Sequence, residues 1–162
     1  MRSNNRKTAL IFGAAAFAAI VGMDVARAED VGATAAYKDI EATLGFVPGF
    51  FKAFPESGIA GAWAEFKGVQ LNPATKLNVK TKELIGLAVA SQIPCVYCIY
   101  FHTAVAKANG ATDDEIREAV AMAAISRHWS TVLNGMQIDL ATFKSETDAA
   151  LKFAGEKARK TN

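Results

Sequence analysis

Only two of the 162 residues are cysteine, and both fall in one four-residue stretch, Cys95 to Cys98. So few cysteines exclude the disulfide scaffold of a small secreted domain, which uses more of them, spaced further apart. The spaced second pair of Cys or His that completes a structural zinc site is also missing. No stretch alternates apolar and polar residues with period two, which excludes a sheet protein. The thioredoxin fold, the commonest carrier of a Cys-x-x-Cys pair, fits poorly, because its βαβ pattern is absent. The chain has no internal repeat and no linker, and it reads as a single helical domain.

One apolar run stands at the start. "MRSNNRK" is a short basic beginning, "TALIFGAAAFAAIVGM" is an apolar stretch dominated by Ala and Gly, and Ala26-Arg27-Ala28 supplies small residues at the two positions a signal peptidase reads. That is the grammar of a secretory signal peptide, with cleavage expected after Ala28. The run falls short of the ~20 residues of a membrane anchor, and no Arg-Arg pair marks the twin-arginine route. Residues 1–28 would take Arg2, Arg6, Lys7, Arg27 and Asp24 with them. That leaves 14 of the 18 Lys and Arg and 15 of the 16 Asp and Glu. A mature chain of residues 29–162, so nearly neutral, has no basic excess to draw nucleic acid or an anionic membrane. It is long enough for one core. Its place would be the periplasm or the exterior, an oxidising setting in which two adjacent cysteines read as chemistry rather than architecture.

The remainder reads as all-α. "TAAYKDIEATLG" is expected to open on a Thr34 cap and stop at Gly45. "FVPGFFKAFPES" brings four Phe residues (46, 50, 51, 54) into a segment too apolar for a solvent loop. It is expected to pack over something, most simply in the core. A Gly-containing helix follows over 56–70 and ends before Asn72-Pro73. The next, from about Val79 to Ser91, is apolar on most sides and therefore central. Pro94 suits the first turn of a helix reaching Asn109 and stopping at Gly110. "TDDE" at 112–115 is a capping box with Thr112 as cap and Glu115 three residues on, starting a helix to about Asn134-Gly135. A last amphipathic helix is expected over 137–153, with a fraying basic tail.

With a helix beginning near Pro94, spacings of three, four and seven residues bring Cys95, Cys98 and His102 to one face. A helix N-terminus favours thiolate over thiol at both cysteines. His102 can hydrogen-bond Cys98, taking its proton or stabilising the thiolate. A Cys-x-x-Cys pair closes reversibly, so attack by one thiolate can be resolved by the other. Glu83 stands in the otherwise apolar "ELIGLAVA" and is expected near the core surface. Burial disfavours the charged form of a carboxylate, which suits a group that relays protons. Other readings stand beside this one: a structural disulfide, which would close a tiny loop and remove little chain entropy, and a metal site with Glu83 as fourth ligand. His128 and Trp129 are read as structural, His128 partly exposed and Trp129 in the core or a subunit interface.

"KELIGLAVASQIPCVYCIYFHTAVAKANGATDDEIREAV", residues 82–120, resembles the core of the alkylhydroperoxidase AhpD-like branch of the carboxymuconolactone decarboxylase family. The family motif is Glu, eleven residues, Cys-x-x-Cys, three residues, His, and Glu83, Cys95, Cys98 and His102 match it in full. "LGFVPGFFKAF" is similar to the segment preceding that core in many members. The resemblance implies an AhpD-like all-helical subunit assembling into trimers or hexamers, a homo-oligomer without metal or cofactor. It implies that the Cys98 thiolate attacks a peroxide oxygen, Cys95 resolves the sulfenic acid, and Glu83 and His102 move protons. The lactone decarboxylase branch lacks the cysteine pair. Better-studied AhpD proteins carry His where this chain has Tyr97, and they draw electrons in the cytoplasm from dihydrolipoamide on another enzyme. An exported chain would need another thiol reductant, for which a thioredoxin-like protein is expected.

The expectation is therefore an exported thiol-dependent hydroperoxide reductase acting on a hydroperoxide, with no nucleic-acid partner and no membrane partner after cleavage. The alternatives are a general dithiol–disulfide oxidoreductase using the same cysteines, and a non-enzymatic metal or metabolite binder using Cys95, Cys98 and His102.

Overall fold

Helix caps and left-handed glycines divide the chain into helices. The computed structural model describes residues 32–161, so the leader assigned to residues 1–28 lies outside the described residues. Among the described residues the chain is all helix and turn, with no strand. It forms two compact units, one up to Thr75 and one from Lys76 onward.

In the first unit, α1 (32–44) ends at Gly45, whose φ of 83° is the left-handed stop expected there. The amide of Gly45 donates to the Glu41 carbonyl at 2.8 Å. Thr34 is not a cap, because the helix is already under way at residue 32 and buries Ala33 and Ala36. A short α2 (Gly49–Lys52) and α3 (Glu56–Glu65) follow. α3 widens into a π-helical turn over Phe66–Gln70, closed by the Leu71 amide on the Phe66 carbonyl at 3.2 Å. Ile40, Ile59, Phe51 and Trp63 form the core, with Phe51 set edge-on to Trp63 at 5.5 Å. Of the four phenylalanines expected to pack, only Phe51 is buried, while Phe46, Phe50 and Phe54 face outward. Asp39 binds α1 to α3 and the turn after it: it accepts from Trp63 Nε1 at 2.6 Å and from Lys67 Nζ at 2.8 Å. The Lys67 ammonium first, and then the Trp63 N–H, hold the Asp39 carboxyl below its ordinary range.

The second unit carries α4 (Val79–Gln92), α5 (Val96–Ala108), α6 (Asp113–Gly135) and α7 (Leu140–Thr161). All four begin with the same device, a side-chain acceptor that takes the amide three residues on. Asn78 Oδ1 takes Thr81 N at 2.8 Å, Cys95 Sγ takes Cys98 N at 3.2 Å, Thr112 Oγ1 takes Glu115 N at 3.1 Å, and Asp139 Oδ1 takes Thr142 N at 2.8 Å. At Thr112 the capping box is complete, since Glu115 also accepts the Thr112 amide.

α4 is central, as its composition implies, and packs on both α5 and α6. Its buried face is narrower than its apolar one: Glu83, Leu87 and Ala90 are enclosed, whereas Ile85 and Val89 are exposed. Two ties hold it to α6. Lys80 reaches Glu115 at 2.7 Å near their starts. Further along, Gln92 donates to the Ala123 carbonyl at 2.7 Å and receives Arg127 Nε at 2.7 Å. α5 starts later than Pro94 suggests. The Cys95 amide is still engaged with the Ala90 carbonyl at 3.1 Å, so Cys95 closes the preceding turn and caps α5 in an extended conformation. α5 stops at Gly110, with φ 83°. α7 also differs from expectation. Gln137, at φ 53°, and the Asp139 cap delay its start to Leu140, and the basic tail stays helical through Thr161.

Candidate active site

The two halves of the site come from consecutive helices of the second unit. α4 carries Glu83 in its second turn, facing the interior. α5 begins with Cys95 as cap, places Cys98 in its first turn and His102 one turn deeper. Cys95 and Cys98 form a disulfide with their Cα atoms 5.3 Å apart. Glu83 is 1% exposed and is the buried charged residue of the described chain. Its Oε2 lies 2.7 Å from His102 Nδ1, and the imidazole is 18% exposed. A carboxylate is removed from water at this cost only where a donor meets it, and His102 is that donor when Nδ1 carries hydrogen. Phe101 stands edge-on to the imidazole at 5.5 Å.

The structure brings the four residues singled out in the sequence together as two pairs, Cys95 with Cys98 and Glu83 with His102, with one change of partner. The imidazole was expected to bond Cys98; the hydrogen bond it makes is to Glu83. With Nδ1 engaged there, Nε2 is the ring nitrogen left to exchange protons. Tyr97, between the cysteines, points outward at 84% exposure. His128 and Trp129 sit on α6 edge-on to one another at 5.4 Å. Trp129 is 54% exposed and so is not a core residue. Among the described residues, no group of three or more His, Cys, Asp or Glu is arranged to hold a metal ion.

Sequence reasoning passed over Gly86. It lies three residues after Glu83 on the same helix face, and a Cβ built on it would run into the His102 ring. The available signal was a glycine in the middle of an otherwise apolar helix, a position that costs about 0.5–1 kcal/mol relative to alanine. A shallow apolar groove lies on α5, lined by Val96, Ile99, Tyr100, Thr103 and Ala104.

A closed Cys-x-x-Cys pair at a helix start, with a buried carboxylate–imidazole pair behind it, defines a dithiol–disulfide site on an all-α scaffold. Comparison with known proteins gives the family. Residues 58–139 match the model of the carboxymuconolactone decarboxylase family, and the chain belongs to that family. It is similar to the crystal structure of the alkylhydroperoxidase AhpD core from Rhodospirillum rubrum. The TM-score is 0.59 at 30% identity, covering 67% of this chain and 82% of that one. It is also 43% identical over 51 residues to a Paracoccus denitrificans protein described as uncharacterized protein 4 in cox locus. That match covers 32% of this chain and 46% of the relative, so the chain spans about half of that protein's length.

Proposed function

We propose that the protein is a thiol-dependent hydroperoxide reductase. The observation that carries this reading is the Cys95–Cys98 disulfide at the start of α5, one helical turn from His102 and its buried partner Glu83. The likeness to an alkylhydroperoxidase core supports peroxide as the oxidant. In the reduced protein the Cys98 thiolate attacks the outer oxygen of ROOH. The O–O bond breaks, Cys98 becomes a sulfenic acid, and the alkoxide leaves as ROH with a proton relayed through His102 and Glu83. Cys95 thiolate then attacks the Cys98 sulfur, the S–O bond breaks, the hydroxide leaves as water with the proton given up by the Cys95 thiol and carried by His102, and the disulfide forms. Two electrons and two protons from an external dithiol restore the thiols. Tyr97 adds no imidazole to this relay, which leaves His102 as its titratable nitrogen.

The same proposal includes export by the leader at residues 1–28, cleavage after Ala28, a thioredoxin-like reductant in the outer compartment, and assembly into a homo-oligomer. Exposed apolar residues along α7, Leu140, Phe143, Leu151 and Phe153, support assembly.

The test follows free thiols and intact mass in reduced protein spanning residues 29–162, mixed with excess organic hydroperoxide or, separately, with a small disulfide. Both thiols are expected to vanish rapidly with peroxide. A trapped sulfenic acid is expected in Cys95→Ser and none in Cys98→Ser. Inertness to peroxide with fast disulfide exchange would replace the peroxidase with a general dithiol–disulfide oxidoreductase. Inertness to both, together with stoichiometric zinc in protein purified without added metal, would replace it with a metal binder.

A further inference from the structure

We propose that Gly86 is a positioning residue for His102: the missing side chain at this place on α4 lets the imidazole lie against the helix and reach Glu83. The inference rests on the reading that the Glu83–His102 pair serves the cysteines.

The four glycines of the second unit's helices and turns differ in what surrounds them. Gly110, Gly135 and Gly155 have open space where a Cβ would stand, and Gly110 is explained by its left-handed backbone. Gly86 has an ordinary helical backbone inside α4, where glycine destabilises relative to alanine, yet its Cβ position is filled. A Cβ there would lie 2.5 Å from His102 Nδ1 and 2.7 Å from Nε2, with Cε1 closer still. Three atoms of one ring therefore crowd one missing methyl group. The ring would have to retreat about 1 Å to restore an ordinary contact. Its Nδ1 is held 2.7 Å from a carboxylate that is 1% exposed. A retreat of that size takes the hydrogen bond out of its useful range.

Glu83 and Gly86 act as one seat, with the carboxylate one turn ahead to hold Nδ1 and a bare backbone beneath to admit the ring. The seat fixes the imidazole on Nδ1 and leaves Nε2 for proton exchange. Any side chain at 86 would leave both catalytic cysteines intact and still disable the relay.

The test is Gly86→Ala in two backgrounds, wild type and His102→Ala, using reduced protein spanning residues 29–162. The readouts are the rate of peroxide-driven thiol loss against pH and the imidazole titration by NMR. The chain has only two histidines, His102 and His128, so the resonance lost in His102→Ala identifies the ring. Gly86→Ala is expected to shift the His102 titration and slow thiol loss at least 10-fold in wild type. In His102→Ala the same substitution should leave the rate unchanged and raise the unfolding temperature. An unshifted titration, or equal rate losses in both backgrounds, would overturn the proposal. If Gly86→Ala fails to fold while the double variant folds, the collision is supported; failure of both would count against it. Should the wild-type chain be inert to peroxide, the hydroperoxide-reductase reading falls, and the imidazole titration alone decides the role of Gly86.

Discussion

Glu83 has given up nearly all of its contact with water, and His102 accounts for much of why that is tolerable. Removing the imidazole leaves the carboxylate short of a buried donor, a loss of about 1–3 kcal/mol. His102→Ala should therefore lower the unfolding free energy measured by urea titration by that amount even in the oxidised protein, where no chemistry takes place. Glu83→Gln keeps the shape and should be milder in stability. Under the proposed mechanism it should slow peroxide-driven thiol loss by about 10²-fold, the low end for a displaced proton relay; stopped-flow thiol titration reads this directly. The placement of the four candidate residues on two consecutive helices was legible in the sequence, because the spacing of Glu83, Cys95, Cys98 and His102 survives translation into helices. The partner of His102 was not. A contact between residues nineteen apart depends on how α4 and α5 face each other, and on a glycine whose role is to be small.

Caps and ties decide where the helices begin. Thr112→Ala removes one member of the capping box and should destabilise the second unit by about 1 kcal/mol, measured by thermal unfolding. Glu115 belongs both to that box and to the Lys80 pair. Lys80 first, and then the Thr112 amide, hold its carboxyl below the ordinary glutamate value of 4.5. A depressed folded-state value means that the unfolded chain binds the proton more readily. The stabilisation is thus present above pH 4.5 and disappears as pH falls through the folded value. Lys80→Met should accordingly reduce stability near neutral pH, and the gap to wild type should close as acid is added; urea midpoints across pH 3–7 would show whether the gap closes or stays constant. Asp39, Asp113 and Asp139 are depressed in the same direction, so the parent protein should also lose stability in acid. Element boundaries were readable where local chemistry sets them, at Gly45, Gly110 and Thr112. They were missed where a neighbouring turn intervenes: Cys95 is held by Ala90, and Gln137 and Asp139 postpone α7.

At the scale of the molecule, the described residues form two units, each with its own helices, and none of the described helices is long and apolar enough to cross a membrane. The sequence announces an all-α protein through its lack of period-two patterning. It does not reveal that Phe46, Phe50, Phe54 and Trp129 remain exposed, since composition says only that such residues seek cover. α7 presents the same problem along its length, with Leu151 67% exposed. If a homo-oligomer covers that stripe, Leu151→Asp combined with Phe153→Asp should shift the protein to a smaller species in light scattering while the Cys95–Cys98 chemistry survives. An unchanged mass would assign assembly to another face. Export predicts that protein recovered from the outer compartment begins at Glu29, which terminal sequencing decides.

The sulfur cap of α5 has one further consequence. A hydroxyl or carboxylate cap is inert to redox change, whereas the Cys95 sulfur accepts the Cys98 amide while part of a disulfide, and a thiolate sulfur can also accept a hydrogen bond. Under the proposed mechanism the first turn of α5 would keep this anchor in both halves of a turnover. Little structural reorganisation stands between them, and amide exchange in that turn should look alike before and after reduction. Under the proposed mechanism, such a site is recharged without being refolded.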